Sequence, residues 1–485
     1  MERGPEQEGS DHRRLLLTVA GLACLYCALA SGHFQSIDGM LMFQQARSIL
    51  YDGSLVFQTP LVWEKPIPTS KYGIGLSLLY LPGLAAFSWL EPWVHQPSGM
   101  LRDYFQLYID PVYAAAGVPL QIGIALASAY LIGRFSRALG LSTRASLWGA
   151  ILYGVASPAL TFARGDYAQP LLGLLWIGGL YAAYRHTRGA GARARMMAAL
   201  AIFFAILARP LEGMLLLPAV TLVLARAAGP RTGGVLRQAA LPVVAAVLGV
   251  AVTLAVNYGR YGSPFTTGYG AGGWSANPLV GLAGLLVSPG RGLLWAFPAV
   301  VLAPLGARAL YPSNREMTIA MVGLCITLLL VMSGWHMWWG GVNWGPRLLV
   351  PSLPIMAVLA AAAIPKPSTR LRVRLPLVLA AMGLLWALPT ALIDLNVYGG
   401  WFDGPSVSFL PRAHPFLFAL DPPHTWRPGA PLAPHGIDVV WVRATGLLGP
   451  WPLLVLGALL AAAAVLLYRA AGPSAGNTRT STVRG

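Results

Sequence analysis

Asp38 is the first residue in this chain whose type and position suit chemistry. It lies in the motif SIDG (36–39), directly after the first long apolar run and before an amphipathic stretch over 40–50. A carboxylate fixed at such a helix end can accept a proton from a sugar or lipid hydroxyl. The alternative is that Asp38 only caps the following helix, because acids favour helix N-termini. The spacing alone leaves both interpretations open.

Asp166 is a second candidate acid. It lies in FARGDY (162–167), a very short turn between two apolar runs. Arg164 in the same turn offers a simpler explanation, because the two side chains can form a surface ion pair of little energetic weight. A role for Asp166 in a site and a pairing with Arg164 are therefore alternatives.

Four cations stand in tight turns that contain glycine or proline: Lys71, Arg209, Arg291 and Arg347. Guanidinium forks match phosphate oxygens, and lysine supplies a point charge. Tight turns also let backbone amides approach an anion. Each arginine taken singly also fits an interfacial anchor with its head group in water. Four such cations on one membrane face favour a phosphate or diphosphate ligand.

Aromatic residues crowd the segment WHMWWGGVNW (335–344). A tryptophan belt at the membrane interface and a sugar-stacking surface have the same composition, so these residues do not distinguish the two. His336 has no second histidine or acid at ligand spacing, and we predict no metal site there.

The elements that position these residues are membrane spans. The chain has 485 residues, of which 56% are hydrophobic and only 11% are charged, and its mean hydropathy is +0.60. These values exclude a soluble enzyme. The net charge of +17 is attributed to cytoplasmic loops, and without a basic run interleaved with aromatics we predict no nucleic-acid partner.

Apolar runs predict about twelve transmembrane helices, because about twenty apolar residues cross a hydrocarbon core of about 30 Å. The predicted spans are 15–34, 110–133, 145–161, 170–184, 197–208, 211–225, 239–256, 293–307, 317–334, 348–364, 375–393 and 448–468. Residues 72–90 fit either a further span or an interfacial segment. If they do not cross, arginines concentrate in one set of loops, as the positive-inside rule requires, and both termini are cytoplasmic.

This topology predicts an all-α membrane protein without a separate globular domain. Residues 1–14 form a cytoplasmic tail, 15–393 the transmembrane domain with a first extracytoplasmic loop at 35–109, 394–447 an irregular extracytoplasmic cap, 448–468 the last span and 469–485 a second cytoplasmic tail. A cleaved signal peptide is an alternative for the first span, because two arginines precede it and Ala28-Leu29-Ala30 resembles a cleavage site.

Five segments together resemble one family. In order they are SIDGMLMFQQARSILYDGSL, SKYGIGLSLLYLPG, NYGRYGSPFTTGYG, SPGRGLLWAFP and WWGGVNWGPRLLVPSLP. They are similar to the GT-C superfamily of polytopic glycosyltransferases, in particular to its bacterial branch of protein O-mannosyltransferases and lipid A aminoarabinose transferases. The resemblance covers about residues 15–364.

The resemblance implies transfer of a sugar from a polyprenyl-phosphate carrier at the outer face of the plasma membrane, usually with inversion. It implies that Asp38 and Asp166 are the catalytic acids and that the 35–109 loop carries interfacial helices. The donor phosphate is assigned to Lys71, Arg291 and Arg347, with Arg209 as a weaker candidate. The substrate cavity is assigned to four further residues: Tyr72, Tyr269, Trp339 and Asn343.

The sequence departs from the family pattern in two places. The usual acidic pair after the first span is Asp-Glu, whereas Gly39 follows Asp38 here. The second acid stands in Arg-Gly-Asp, which makes the role of Asp166 less secure. No cofactor is predicted, and a divalent cation is left as an open alternative.

The predicted activity is therefore an inverting glycosyl transfer to a hydroxyl of a glycan, lipid or protein, with Asp38 as the base. Two rivals remain. A polysaccharide polymerase or ligase shares the lipid-phosphate leaving group, and a flippase or transporter would use ionisable residues in mid-span. Glu212 is the one clear example of such a residue, and we interpret it as a structural partner of Arg209.

Overall fold

The computed structural model describes residues 5–57, 69–93, 110–228, 232–269, 272–364, 370–421 and 437–471. Within these ranges the secondary structure is helical, and strand pairing is limited to an isolated bridge between Ile393 and Ile437. The predicted all-α class is confirmed. The predicted cap lies partly outside the described ranges, as do both ends of the chain.

Sixteen principal helices lie in the described ranges, in addition to shorter helical turns. They are α1 Pro5–Ala28, α2 Ile37–Arg47, α3 Gly75–Ala86, α4 Val118–Ala138, α5 Thr143–Val155, α6 Gln169–Thr187, α7 Gly191–Ala208, α8 Leu216–Ala225, α9 Thr232–Tyr261, α10 Pro278–Val287, α11 Ala303–Leu310, α12 Arg315–Ser333, α13 Leu353–Ala362, α14 Arg370–Leu392, α15 Leu395–Phe402 and α16 Trp451–Ala471.

Six helices in the described ranges are long and apolar enough to cross a bilayer. They are Tyr113–Ala138, Gly191–Ala208, Gly234–Tyr261, Arg315–Ser333, Arg374–Leu392 and Trp451–Ala471. The chain is thus an integral membrane protein, while the count of twelve spans stays a prediction. The predicted span 293–307 is not one continuous helix, because Pro298 begins a separate 3₁₀ turn, Pro298–Leu302, ahead of α11.

Residues 72–90 contain one short α-helix, α3, and the first residues of a 3₁₀ helix, Ser88–Trp93. Helix α3 has 12 residues, which at 1.5 Å per residue reach about 18 Å and fall short of a hydrocarbon core. This length favours the alternative in which the segment does not cross. Its place at the membrane interface stays a prediction.

The first and last helices pack side by side and frame the outer segments. Arg14 Nε of α1 donates to the carbonyl of Ala470 in α16 at 2.9 Å. Near the other end of α1, Trp441 Nε1 donates to the carbonyl of Cys27 at 2.8 Å. The residues between α1 and α2 therefore lie beside residues that come more than 400 positions later in the chain.

Candidate active site

Asp38 lies in the first turn of α2, but it is not the cap of that helix. Ser36 is the N-cap residue, and its hydroxyl accepts a hydrogen bond from the Gly39 amide at 3.0 Å. The Asp38 carboxylate instead accepts from the Tyr72 hydroxyl and from the Arg347 guanidinium. Its side chain is 16% exposed. The carboxylate is therefore not engaged in capping, and part of its surface is accessible.

Opposing effects set the pKa of Asp38. Burial raises it, but the Arg347 charge, the hydrogen bonds from Tyr72 and Arg347, and the Lys71 charge together hold the pKa below its ordinary value. The carboxylate is therefore ionised at neutral pH. It is ready to accept a proton, while its pairing with Arg347 restrains its basicity.

Asp166 is completely buried behind this carboxylate. It accepts from the Ser36 hydroxyl at 2.6 Å and from the backbone amides of Gln35 and Ser36 at 2.9 and 3.1 Å. Burial raises its pKa to about 6 despite these hydrogen bonds, and the Asp38 charge adds to the rise. Arg164 is not its partner, since that guanidinium pairs with Asp438. The surface-pair alternative is therefore wrong.

The position of Asp166 explains why residue 39 is a glycine. A Cβ atom added at residue 39 would overlap the Asp166 side chain. The glycine that departs from the Asp-Glu family pattern thus makes room for an acid from another loop. The second carboxylate near Asp38 is supplied by residue 166 instead of residue 39.

Three of the four predicted cations gather near Asp38. Lys71 Nζ lies 5.6 Å from the ring centroid of Tyr72 and 5.3 Å from that of Tyr269. Arg347 stacks on Tyr167 with its guanidinium carbon 4.2 Å from the ring centroid. Arg209 pairs with Glu212 at 2.5 Å, which confirms the predicted pairing. These contacts give a patch of positive charge with tyrosine walls.

Gln169 connects two of these cations. With its amide oxygen turned toward them, it accepts from Arg209 Nη1 and Arg347 Nε, each at 3.1 Å. The two guanidinium groups are therefore held side by side from the start of α6.

Arg291 lies apart from this group. It is fully buried and donates to the backbone carbonyls of Asn343, Gly341 at 3.2 Å and Phe402 at 3.0 Å. Those bonds direct it into the loop before Arg347. The phosphate role predicted for Arg291 is therefore not the one its contacts favour.

The predicted cavity residues divide into two pairs. Tyr72 and Tyr269 meet edge to face at 6.2 Å between ring centroids, next to Asp38 and Lys71. Trp339 and Asn343 belong to the loop before Arg347. Asn343 is buried and Trp339 donates to Asp403 at 3.0 Å, so this second pair shapes the loop.

Arg260 and Tyr167 contribute to the site without having been predicted. Arg260 is 8% exposed, donates to the Tyr72 carbonyl at 2.7 Å, and has no partner for Nε or Nη2 among the described residues. A buried guanidinium with spare donors suits an anion. The glycine-flanked arginine in YGRYG resembles the turns of the other cations and could have indicated it.

A divalent cation does not fit these acids as they stand. Asp38 accepts from Tyr72 and Arg347, and Asp166 accepts from three donors of the 35–36 segment. Hydrogen-bond donors thus occupy the positions that a metal would take. Across the part of the chain that the structure describes, no group of three or more metal-ligating side chains was found.

No protein-family model and no curated protein sequence matches this chain. Solved structures do match it. The chain is similar to ArnT from Cupriavidus metallidurans in the apo state, with 13% identity, a TM-score of 0.51 and coverage of 94% of this chain and 77% of that one. The same enzyme bound to undecaprenyl phosphate matches with 14% identity, a TM-score of 0.53 and coverage of 94% and 75%.

An archaeal protein shares the architecture. Oligosaccharyltransferase AglB from Archaeoglobus fulgidus, in complex with an inhibitory peptide and a dolichol-phosphate, matches with 11% identity and a TM-score of 0.51. The alignment covers 80% of this chain and 56% of AglB, so the chain spans little more than half of that protein. The resemblance in the sequence motifs is thereby confirmed at the level of fold. This chain therefore has the fold that ArnT and AglB share.

Proposed function

We propose that the chain is a glycosyltransferase that moves a sugar from a polyprenyl-phosphate carrier to an acceptor hydroxyl, with inversion at the anomeric carbon. One observation carries the proposal. An ionised, partly accessible carboxylate, Asp38, contacts Arg347 and lies near a second cation, Lys71. A base beside cations for a departing phosphate is the pair of functions that this reaction needs.

In the proposed step Asp38 takes the proton of the acceptor hydroxyl. The acceptor oxygen forms a bond to the anomeric carbon, and the bond from that carbon to the carrier phosphate breaks. The electron pair leaves with the phosphate, whose charge is stabilised by Lys71, Arg347, Arg209 and Arg260. Electrostatic stabilisation of this charge is the largest contribution. No nucleotide sugar is required.

The ion pair between Asp38 and Arg347 links donor binding to the strength of the base. Before the donor binds, Arg347 holds the pKa of Asp38 below its ordinary value. A donor phosphate shares the Arg347 charge, which raises the pKa of Asp38 and strengthens it as a base. The carboxylate is thus a better proton acceptor when a substrate is present.

Two further lines support a lipid-phosphate donor and an outer site. The ArnT structure with undecaprenyl phosphate and the AglB structure with a dolichol-phosphate show this fold with such carriers. The arginine-rich short loops favour cytoplasmic termini in the plasma membrane, which puts Asp38 on the extracytoplasmic face. Within this topology we keep 15–393 as the catalytic unit and 394–447 as its cap.

A polysaccharide polymerase or ligase is the second candidate function, because its donor leaves the same lipid phosphate group. A flippase is disfavoured by Glu212. This ionisable residue, predicted within a span, pairs with Arg209 at 2.5 Å, as a structural ion pair would.

The test uses purified protein in detergent with a panel of polyprenyl-phosphate monosaccharides and membrane acceptors. Release of free polyprenyl phosphate is followed by mass spectrometry. We expect release from one sugar, and a loss of about 10²- to 10⁴-fold in Asp38→Asn, because that variant keeps the shape but removes the base. Donor binding should persist.

The matched control is Asp52→Asn, which removes the same charge from an exposed carboxylate and should leave turnover unchanged. Undiminished turnover in Asp38→Asn would remove Asp38 from the mechanism. No release from any monosaccharide, together with release from a lipid-linked glycan of many sugars, would instead establish the polymerase or ligase.

A further inference from the structure

Another buried carboxylate, Asp438, joins segments that are far apart in the sequence. It contacts His33 Nε2 at 2.7 Å and accepts from Gln35 Nε2 at 3.0 Å, Arg164 Nη2 at 2.7 Å and Arg443 Nη1 at 3.2 Å. The Asp438 side chain is 0% exposed, and none of the three charged or titratable partners exceeds 9%. The mechanism proposed above does not use this cluster.

Two segments connect this cluster to Asp166. They are residues 33–36, which donate hydrogen bonds to Asp166, and the turn at 162–167, which contains it. Gln35 contacts Asp438 through its side chain and donates its backbone amide to Asp166 at 2.9 Å. Arg164 stands two residues before Asp166 and also donates to the backbone carbonyl of Asp438. Ser31 closes the arrangement, because its hydroxyl donates to the Arg164 carbonyl at 3.2 Å.

The charge of Asp438 is essential to this arrangement. Arg164 is buried, and a buried guanidinium without a counter-charge is strongly unfavourable. The His33, Arg164 and Arg443 charges hold the pKa of Asp438 well below its ordinary value although burial raises it. The carboxylate is therefore ionised at any pH at which the protein would be studied.

We propose that Asp438 is a positioning residue that fixes Gln35 and Arg164 and thereby holds Asp166 against Gly39, beside the catalytic Asp38. The segment that contains Asp438 belongs to the predicted cap, so the cap is part of the support of the site. The catalytic consequence rests on the proposed function, whereas the effect on the 33–36 segment does not.

The experiment compares Asp438→Asn with the exposed control Asp52→Asn in detergent. Amide hydrogen exchange by mass spectrometry reports on a peptide that covers Gln35 and Ser36. Because these amides donate to Asp166, we expect exchange at least tenfold faster there in Asp438→Asn. Exchange in α6 should be unchanged.

Turnover gives the second measurement. We expect kcat to fall at least tenfold while KM for the lipid-linked donor stays within twofold, because the variant disturbs an acid and leaves the cations that hold the donor phosphate in place. A purely structural loss of folded protein would lower the active fraction and leave kcat per folded molecule unchanged.

Arg164→Lys is a second variant in case Asp438→Asn does not fold. It keeps the charge that faces Asp438 but loses the fork that reaches two partners. Faster exchange at Gln35 and Ser36 in this variant supports the proposal, and unchanged exchange in a folded variant overturns it. Unaltered kcat despite faster exchange overturns the catalytic part. A wild-type protein without transferase activity rejects the proposed function, and the exchange measurement still decides the positioning role.

Discussion

Two carboxylates a short distance apart have opposite electrostatic environments. Asp38 is paired with Arg347 and has a pKa below its ordinary value, whereas Asp166 is buried among neutral donors and has a pKa of about 6. Pairs of acids whose environments separate their pKa values in this way are a frequent device of enzymes. Here the accessible acid is ionised at neutral pH, and the buried one has a pKa of about 6.

This difference predicts a pH-dependent stability that originates from Asp166. Its folded-state pKa of about 6 lies above the ordinary 3.8, so its contribution to stability is complete below pH about 4 and is lost as the pH rises through about 6. The ionised form costs about 3 kcal/mol at pH 7.5. Asp166→Asn removes this titration. The Tm of the variant minus the Tm of the wild type should therefore be larger at pH 7.5 than at pH 4.5.

Thermal unfolding in detergent at both pH values measures this difference. Comparing the two proteins at each pH cancels the other titrating groups. A Tm difference that is the same at both pH values would contradict the raised pKa of Asp166.

For single residues, the sequence indicated which side chains lie near Asp38 better than it indicated their hydrogen-bond partners. Both acids and three of the cations near Asp38 were selected from turns with glycine or proline. The sequence did not show that Arg291 would face three backbone carbonyls, or that Arg260 would keep spare donors. Hydrogen-bond partners hundreds of residues away determine these properties, and local spacing does not report them.

Among the elements, the contact between α2 and the turn before α6 is the tightest constraint on the site. A side chain at position 39 would overlap Asp166. Gly39→Ala should therefore displace Asp166, lower the free energy of unfolding by about 1–3 kcal/mol and reduce turnover.

The matched control is Gly123→Ala in α4, where an added Cβ meets nothing within 4 Å. That substitution should be neutral or slightly stabilising, because alanine favours a helix over glycine. Equal Tm and turnover for the two variants would show that the 39–166 contact is not a constraint.

The helices themselves were predicted unevenly. The spans near 317–334 and 448–468 correspond closely to Arg315–Ser333 and Trp451–Ala471. The first run has no proline, and the second has proline only at its start, where a helix tolerates it. In the predicted span at 293–307, where Pro298 and Pro304 stand inside the apolar run, separate short helices replace one long helix. Hydropathy does not register such breaks, because proline changes hydrogen bonding more than polarity.

For the whole molecule, the topology can be tested without any assay of activity. Single cysteines at two exposed positions, Asp52→Cys in the first long loop and Ser313→Cys between α11 and α12, are introduced after replacement of the three native cysteines. A membrane-impermeant maleimide should label residue 52 in intact cells and residue 313 only after permeabilisation.

The three native cysteines lie in helices α1 and α12 and form no disulfide, so replacing them with alanine is a mild change. Labelling of residue 313 in intact cells would invert the topology and would put Asp38 on the cytoplasmic side. The fold shared with ArnT and AglB would then stand, while the extracytoplasmic site would not.

The packing of the last segment against the first has a consequence for biogenesis. Asp38, Lys71, Asp166 and Arg347 all leave the ribosome before Asp438 and α16, which reach back to Gln35 and α1. A nascent chain that stops before residue 438 would carry both acids and the cations that surround them, yet the segment between α1 and α2 would lack its buried counter-charge. Helices that insert in chain order would therefore leave Gln35 and Arg164 without their shared partner until the last part of the chain is synthesised.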